Sequence, residues 1–225
     1  MAKRVVLVRH GESSAQRYSR RQRWDTSLEE LRDPCLSEVG EAQARTLGTR
    51  WEGCSPPGLV VCSPLSRAVQ TAALLFPKQS GIAIIAHPDL RETPPGRPVA
   101  GQATQQECRG RPPEELLRDP RLHIASHVDW SLVPTGEAPW WAETVEAAEA
   151  VEARLSSFCH WLQERPEATA VVVCHFNVIQ RLTAARQFKV ENCSPICCTL
   201  HDREVTCVSP AVAHAPDFWG AASAA

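Results

Sequence analysis

The feature that most constrains the fold is the alternation of short β-branched runs with helical segments along this 225-residue chain. Short apolar runs bounded by turn residues are typical of buried strands, and strands that alternate with helices are typical of a parallel sheet. Strands are predicted at 5–8, 59–62, 82–86 and 171–174, with edge strands at 199–200 and 205–208. We therefore expect an α/β fold with three layers, α/β/α, around a mostly parallel central sheet.

Helices are predicted in the intervals between these runs. One begins after Leu36, where Ser37 can cap it, and continues to about Trp51, while another follows the second strand and ends near Leu75. The clearest helix precedes the fourth strand, because six apolar residues recur there every three or four positions. These residues are Val145, Ala148, Val151, Leu155, Phe158 and Leu162. We expect this helix to cover one face of the sheet.

Two stretches resist assignment to regular elements. Residues 13–35 form a polar segment that contains the arginines of Arg17 to Arg23, and residues 93–141 are rich in proline with few periodic apolar positions. Long loops in a compact domain are usually lids, binding loops or disordered segments. We expect one domain over residues 1–210, in which 93–141 forms a small lid from loop insertions, followed by a poorly ordered tail at 211–225.

Composition and charge argue against several classes of function. The formal net charge of -2 gives no general attraction to nucleic acid or to an anionic membrane. No apolar run approaches the length of a membrane span, and the four apolar residues before Arg9 are too few for a signal-peptide core. We therefore expect a cytoplasmic protein whose ten cysteines are reduced. Cys193, Cys197 and Cys198 lack the paired spacing of a zinc site, so no metal is expected.

Reactive polar side chains follow three of the predicted strands. Arg9 and His10 follow the first strand, His175 follows the fourth, and the second strand leads to Arg67 in the first turn of a helix. In open parallel sheets, ligands bind at the carboxyl ends of the strands. The sequence thus predicts two histidines and two arginines in one crevice. Each motif alone is weak, since a lone histidine after a strand is usually structural, but the joint pattern favours a functional site.

Five segments together resemble the histidine phosphatase superfamily, which also contains the cofactor-dependent phosphoglycerate mutases. The segments read VLVRHGES at 6–13, LSEVGEAQA at 36–44, CSPLSRAVQTA at 62–72, LRE at 90–92 and VVVCH at 171–175. The resemblance covers residues 4 to about 182. It implies a metal-independent phosphoric monoester hydrolase of the histidine acid phosphatase type, without a cofactor, that acts on a small phosphorylated substrate.

The resemblance also implies a division of roles within the site. His10 resembles the nucleophile that forms a phosphohistidine, and Arg9, Gly11, Arg67 and His175 resemble the phosphate-binding pocket. Glu92 resembles the proton donor. The alternatives for the acid are Asp89 and Glu12, and Glu92 itself has an alternative interpretation as a surface carboxylate paired with Arg91 or Arg97.

Elementary chemistry agrees with these roles. Arginine presents a planar fork of permanently charged donors that suits the oxygens of a phosphomonoester. His10 must be neutral at one nitrogen to attack, and nearby arginines disfavour its charged form. A carbonyl that accepts from its other nitrogen would fix the tautomer. A protonated Glu92 would supply the proton that the leaving alkoxide needs, and the ionised group would then activate water.

Two departures from the family pattern leave alternatives open. Gln16 is the residue nearest to an expected phosphate-contacting asparagine, and Phe176 stands where glycine usually follows the second histidine. One alternative function is a phosphoglycerate mutase-type phosphotransferase, although the characteristic substrate-loop sequences of those mutases are not found after Arg67. The other is a non-catalytic binding module, in which Trp130 and the pair Trp140–Trp141 form a partner surface rather than a lid over substrate.

Overall fold

A seven-stranded sheet forms the centre of the computed structural model, which describes residues 2–20 (18–20 as backbone only), 31–51, 56–93, 106–136, 139–184 and 190–208. Its strands are β1 Lys3–Arg9, β2 Leu59–Cys62, β3 Ile84–Ala86, β4 Val128–Asp129, β5 Thr169–Cys174, β6 Pro195–His201 and β7 Glu204–Cys207. The strand order is β4-β3-β2-β5-β1-β6-β7. The first five strands in this order pair in parallel, and β6 and β7 add antiparallel pairs at one edge.

Helices cover both faces of this sheet. They are α1 Ser14–Arg20, α2 Glu38–Trp51, α3 Ser66–Leu75, α4 Pro113–Arg118, α5 Ala148–Glu164 and α6 Phe176–Leu182. Successive side chains of a strand point to opposite faces. Val6 and Val8 of β1 accordingly pack in one core with α2 and α3, whereas Val5 and Leu7 pack in a second core with α5 and α6. The predicted three-layer α/β/α architecture with a mostly parallel sheet is confirmed.

The predicted and observed bounds of the strands and helices agree best where every residue of the element is buried. The strand β2 has the predicted bounds, and all four of its residues are buried. The Ser37 hydroxyl accepts the Gly40 N–H at 3.1 Å, so it caps α2 as expected. The third strand is shorter than predicted because it begins at Ile84. The polar segment 13–35 was not expected to be regular, but it begins with α1.

The amphipathic stripe of α5 is shorter than its apolar residues suggest. Val151, Leu155, Phe158 and Leu162 are buried against the sheet, which confirms the expected covering helix. Val145 lies before the helix with 58% of its surface exposed, and Ala148 is also exposed. Spacing alone could not show that the first turn begins only at Ala148.

The described part of the 93–141 segment belongs to the core. It carries α4, a 3-10 helix at Pro120–Ala125 and the edge strand β4. Six of its side chains are buried in the core that α2 and α3 share: Leu116, Leu122, Ala125, Val128, Val133 and Trp140. Its prolines suggested a loop, but Pro113 and Pro120 occupy first helical turns, where the missing N–H costs nothing.

Other expectations concern thiols, membrane and tail. The nine cysteines that the structure describes are all free thiols, and Cys54 lies outside the described residues. Within the described ranges, no helix is long and apolar enough to cross a membrane, and no group of three or more His, Cys, Asp or Glu side chains could hold a metal ion. The predicted tail, 211–225, also lies outside the described residues.

Candidate active site

The carboxyl ends of β1, β2 and β5 bring the predicted residues together. Backbone bonds set this geometry, because the His10 N–H donates to the Cys174 carbonyl and the Ser63 N–H donates to the Val173 carbonyl, both at 3.0 Å. The ring centroids of His10 and His175 are 5.1 Å apart. The Nε of Arg67 lies 3.3 Å from the Nε2 of His10. The two histidines and Arg67 therefore share one crevice.

The hydrogen bonds of His10 fix its tautomer. Its Nδ1 lies 2.7 Å from the Gly11 carbonyl oxygen, which can only accept, so Nδ1 carries the proton. A guanidinium can only donate, so Nε2 presents its lone pair to Arg67. Burial, then Arg67 and then Arg9 hold the pKa of His10 well below its ordinary value, against a smaller opposing effect of the Gly11 hydrogen bond. His10 is therefore neutral at neutral pH, with Nε2 as its nucleophilic nitrogen.

His175 is completely buried beside His10. Within the described part of the chain, neither of its ring nitrogens has a hydrogen-bond partner. A buried polar group without a partner costs about 1–3 kcal/mol, and such groups are typical of functional sites. Burial lowers the pKa of His175 first, followed by the charges of Arg67, His10 and Arg9. A neutral His175 can donate one hydrogen bond to an anion held between the two rings.

The two arginines are fixed by backbone carbonyls. The Nη1 of Arg9 donates to the Val190 carbonyl at 2.9 Å, and its guanidinium lies over the Phe176 ring, 5.3 Å from the centroid. Arg67 is 3% exposed, and its Nη1 donates to the Glu107 carbonyl at 2.8 Å. The positive charges of both arginines act on His10 and His175, since each of them lowers the pKa of both imidazoles.

Glu92 lies within reach of the same charges. Burial raises the pKa of its carboxyl, and the Thr93 N–H, Arg67, the Asn177 N–H and Arg9 act in the opposite direction. The Thr93 N–H donates to its Oε1 at 2.9 Å. Arg91 does not pair with Glu92, since it contacts Glu146 at 2.5 Å. Arg97 lies outside the described residues, so that half of the alternative interpretation is untested.

The other two candidate acids have contacts of their own. Glu12 is buried and accepts the Ser37 hydroxyl at 2.9 Å, which ties it to the start of α2. Asp89 lies 4.0 Å from both His87 and Arg91. Both carboxylates are therefore engaged in holding loops next to the site.

Gly11 is required by the packing of α2. A Cβ at Gly11 would lie 2.5 Å from the Gly40 carbonyl oxygen, and a Cβ at Gly40 would lie 2.1 Å from the Glu12 carbonyl oxygen. Real Cβ atoms do not approach so closely. The N–H of Gly11, a predicted phosphate-binding residue, donates to the Thr71 hydroxyl at 3.0 Å.

Residues 5–211 match the family model described as the histidine phosphatase superfamily, branch 1. The chain belongs to this family. Its members are phosphatases or mutases, so a phosphoryl-transfer enzyme is supported. No curated protein matches the chain by sequence.

Solved structures show the same histidine phosphatase fold. A putative alpha-ribazole-5′-P phosphatase from Escherichia coli is 23% identical, with a TM-score of 0.57 over 92% of this chain and 95% of that one. A phosphoglycerate mutase from Bacillus anthracis is 21% identical, with a TM-score of 0.59 over 92% of each chain. A mycobacterial glucosyl-3-phosphoglycerate phosphatase is 25% identical, with a TM-score of 0.51 over 92% and 96%.

Sequence reasoning missed Asn192 at this histidine phosphatase site. Its Nδ2 donates to the His10 carbonyl at 2.7 Å and lies 3.4 Å from the Gln16 Oε1. The Gln16 Oε1 also accepts the Ser13 N–H at 3.0 Å, so this side chain caps α1. Asn192 precedes a cysteine with a φ of 51°, in an irregular connection that carries no periodic signal.

A buried ion network supports Arg67. The carboxylate of Asp33 accepts both the backbone N–H and the hydroxyl of Ser66, at 2.8 and 2.6 Å, at the start of α3. Arg111 contacts Asp33 at 3.2 Å and Asp119 at 2.8 Å. Since Asp33 and Arg111 lie 78 positions apart, no local pattern predicts this network.

A second ion network supports Glu92. Arg154 is buried on α5 and contacts both carboxylate oxygens of Glu146, at 3.1 and 3.0 Å. Its Nη1 donates to the Asp89 carbonyl, and Arg91 contacts the same Glu146. The segment 89–92 is thereby anchored to α5, directly before the predicted acid.

Proposed function

We propose that this histidine phosphatase hydrolyses a phosphomonoester through a phosphohistidine on Nε2 of His10. The observation that carries the proposal is the tautomer of His10, whose Nδ1 proton is held by the Gly11 carbonyl. The lone pair on Nε2 carries no proton of its own and accepts from the Nε of Arg67 at 3.3 Å. A neutral imidazole beside a permanent cation can attack a bound phosphoryl group without first losing a proton.

Charge complementarity supports the phosphate-binding roles. Phosphoryl transfer depends chiefly on positioning and on neutralising the equatorial oxygens. Arg9 and Arg67 supply two guanidinium groups, and His175 supplies a neutral donor whose ring nitrogens have no protein partner among the described residues. With these groups around the phosphoryl oxygens, the mechanism requires no metal ion, and we expect activity to survive a chelator.

Glu92 then serves both half-reactions. Its raised pKa favours the protonated form, which donates a proton to the leaving alkoxide as the His10 Nε2–P bond forms and the P–O bond breaks. The resulting carboxylate takes a proton from water as that water attacks the phosphohistidine. Phosphate leaves, and His10 and Glu92 return to their starting protonation states.

A small phosphorylated metabolite is the proposed substrate. The E. coli and mycobacterial neighbours are described as a putative alpha-ribazole-5′-P phosphatase and a glucosyl-3-phosphoglycerate phosphatase. The nine free thiols support the proposed cytoplasmic location, since cytosolic thiols are kept reduced.

The tryptophan segment gives little support to a binding module. Trp140 is 5% exposed, and its Nε1 donates to the Arg111 carbonyl at 2.9 Å. Its indole covers Gly110, where a Cβ would lie 2.2 Å from the ring. Trp130 and Trp141 are partly buried against the same core. These rings stabilise the 93–141 segment, so we favour catalysis over partner binding.

The decisive test replaces the nucleophile. We expect His10→Ala to abolish turnover of an aryl phosphate and the acid-labile phosphoenzyme seen after rapid quench with radiolabelled substrate. The matched control is His160→Ala, because His160 is an exposed histidine on α5. Undiminished turnover in His10→Ala would contradict the mechanism. Efficient isomerisation of 3-phosphoglycerate with its bisphosphate primer would favour the mutase alternative instead.

A further inference from the structure

Phe176 lies beside the predicted phosphate-binding residues Arg9 and His175. It is the first residue of α6 and follows His175 directly. Its half-buried ring packs against the core beneath α5 and α6. The Arg9 guanidinium carbon also lies over this ring, 5.3 Å from its centroid. The ring therefore connects the core to a charge of the site.

This contact is well suited to orienting a guanidinium. A cation within about 6 Å of an aromatic centroid is attracted to the ring face, by about 0.5–2 kcal/mol according to burial. A ring face makes no hydrogen bond with the in-plane N–H donors, one of which binds the Val190 carbonyl at 2.9 Å. The ring and the carbonyl together restrict both the tilt and the rotation of the Arg9 side chain.

We infer that Phe176 is a positioning residue for Arg9, which holds the guanidinium plane ready for the phosphoryl oxygens. The inference rests on the proposed function, because it assigns Arg9 to phosphate binding. A ring that only filled space would be replaced without loss by another apolar side chain. A ring that orients Arg9 requires its aromatic face.

The experiment compares Phe176→Leu with Phe176→Trp, using calorimetric titration with inorganic phosphate together with kcat and KM on an aryl phosphate. We expect Phe176→Leu to weaken phosphate binding about 2- to 30-fold, the equivalent of 0.5–2 kcal/mol. Phe176→Trp should keep wild-type affinity. In an Arg9→Met background, Phe176→Leu should have no further effect on phosphate affinity.

The matched control is Trp161→Leu, which removes an α5 ring whose centroid is 5.6 Å from the Arg165 guanidinium carbon and should leave phosphate affinity unchanged. Wild-type affinity in Phe176→Leu, or an equal loss in the Arg9→Met background, would overturn the inference. The titration needs no turnover. It therefore decides the role of Phe176 even if His10→Ala were to refute the phosphohistidine mechanism.

A separate observation concerns the β6–β7 hairpin. Cys198 and Cys207 are directly opposed, with their sulfur atoms 3.5 Å apart. The Val208 N–H donates to the Cys197 carbonyl at 2.9 Å, which makes 198–207 the adjacent non-hydrogen-bonded pair. The Cα atoms of such pairs are about 4.5 Å apart, within the range that a disulfide spans.

We propose that this pair is a site of reversible oxidation by hydroperoxides. Cys207 is half-buried and Cys198 is buried, so Cys207 is the thiol that a small oxidant reaches first. Its thiolate attacks the peroxide O–O bond to give a sulfenic acid and hydroxide. Cys198 then attacks that sulfur to form the disulfide and release water. Two thiols and one hydrogen peroxide thus give one disulfide and two waters.

Stoichiometric hydrogen peroxide followed by peptide mapping tests this proposal. We expect a cross-linked peptide joining residues 198 and 207, with the loss of two hydrogens, reversed by dithiothreitol. Cys197→Ser should preserve the cross-link, whereas Cys198→Ser should leave sulfenic acid on Cys207 that a dimedone probe captures. Unlinked peptides after oxidation, or over-oxidised Cys207 in the unsubstituted protein, would overturn it.

Discussion

Arg9, His10 and His175 differ from Arg67 and Glu92 in what holds them in place. The first three, the backbone-held half of the site, lie at the carboxyl ends of parallel strands, and the ladder between β1 and β5 sets their register. The other two, the ion-supported half, lie next to Ser66 and Arg91, which the Asp33–Arg111 and Glu146–Arg154 pairs anchor. Backbone ladders do not titrate, whereas ion pairs do. One half therefore has a fixed frame and the other a frame that depends on charge.

The largest effect is expected at the proton donor of the ion-supported half. Glu92→Gln keeps the shape of the side chain but removes the transferable proton, which is typically worth about 10²–10⁴ in rate. We expect that loss in kcat for an alkyl phosphate, whose leaving group needs protonation. The loss should be much smaller for a nitrophenyl phosphate, whose leaving group departs as an anion. Equal losses with both substrates would remove Glu92 from the acid role.

Arg111 provides the next test of the ion-supported half. Arg111→Met should lower the free energy of unfolding by about 3–5 kcal/mol, because it leaves the fully buried Asp33 carboxylate without its cation. Arg45→Met is the control, since Arg45 pairs with Glu41 outside this network and is 62% exposed. Exposed pairs are worth about 0–1 kcal/mol. Equal destabilisation of the two variants in urea unfolding would contradict a stabilising role for the buried network.

The smallest expected effect separates, by pH, the buried neutral histidines, which include His87 as well as His10 and His175, from the ion pairs. Burial lowers the pKa of His87 to about 4, below an unfolded value near 6.5, and His10 and His175 shift in the same direction. The unfolded chain therefore binds protons first as pH falls. Stability from the buried neutral histidines is complete above pH 6.5 and is lost between pH 6.5 and 4, by about 3 kcal/mol for His87.

The ion-supported half should lose stability at lower pH. The pKa of Asp119 lies well below the ordinary value of an aspartate, because its carboxylate accepts hydrogen bonds first from Arg121 and then from Arg111. That stabilisation is complete above about pH 4 and is lost as pH falls further. Urea midpoints measured from pH 7.5 to 3 should show two stages, and His87→Gln should flatten only the first. If the urea midpoint of His87→Gln fell between pH 6.5 and 4 as steeply as that of the unsubstituted protein, protonation of His87 would not be the cause of the first stage.

The same comparison explains what the sequence could predict. The backbone-held half was predictable because each of its residues follows a buried β-branched run, and parallel pairing places the ends of such runs side by side. Arg67 was predictable for the same reason, from the turn after β2. Asn192 and Val190 were not, since a backbone carbonyl carries no sequence signal and Asn192 lies in an irregular connection.

The 93–141 segment shows another limit of prediction from sequence. Residues 106–141 lack the period of an α-helix partly because the run at 120–125 is a 3-10 helix, with three residues per turn. Its core residues Leu116, Val128 and Trp140 are buried by contacts with α3 and the sheet edge. Burial that arises from distant segments leaves no trace in local spacing. The prolines at helix starts then made the segment resemble a loop.

The contact between Gly11 and Gly40 has a practical consequence for redesign. With a carbonyl oxygen 2.5 Å or less from each absent Cβ, neither position can accept a larger residue alone without displacing backbone. The displaced segment would carry His10, which is adjacent to Gly11. A mutational library aimed at new substrates must therefore keep this pair constant as a single two-residue unit.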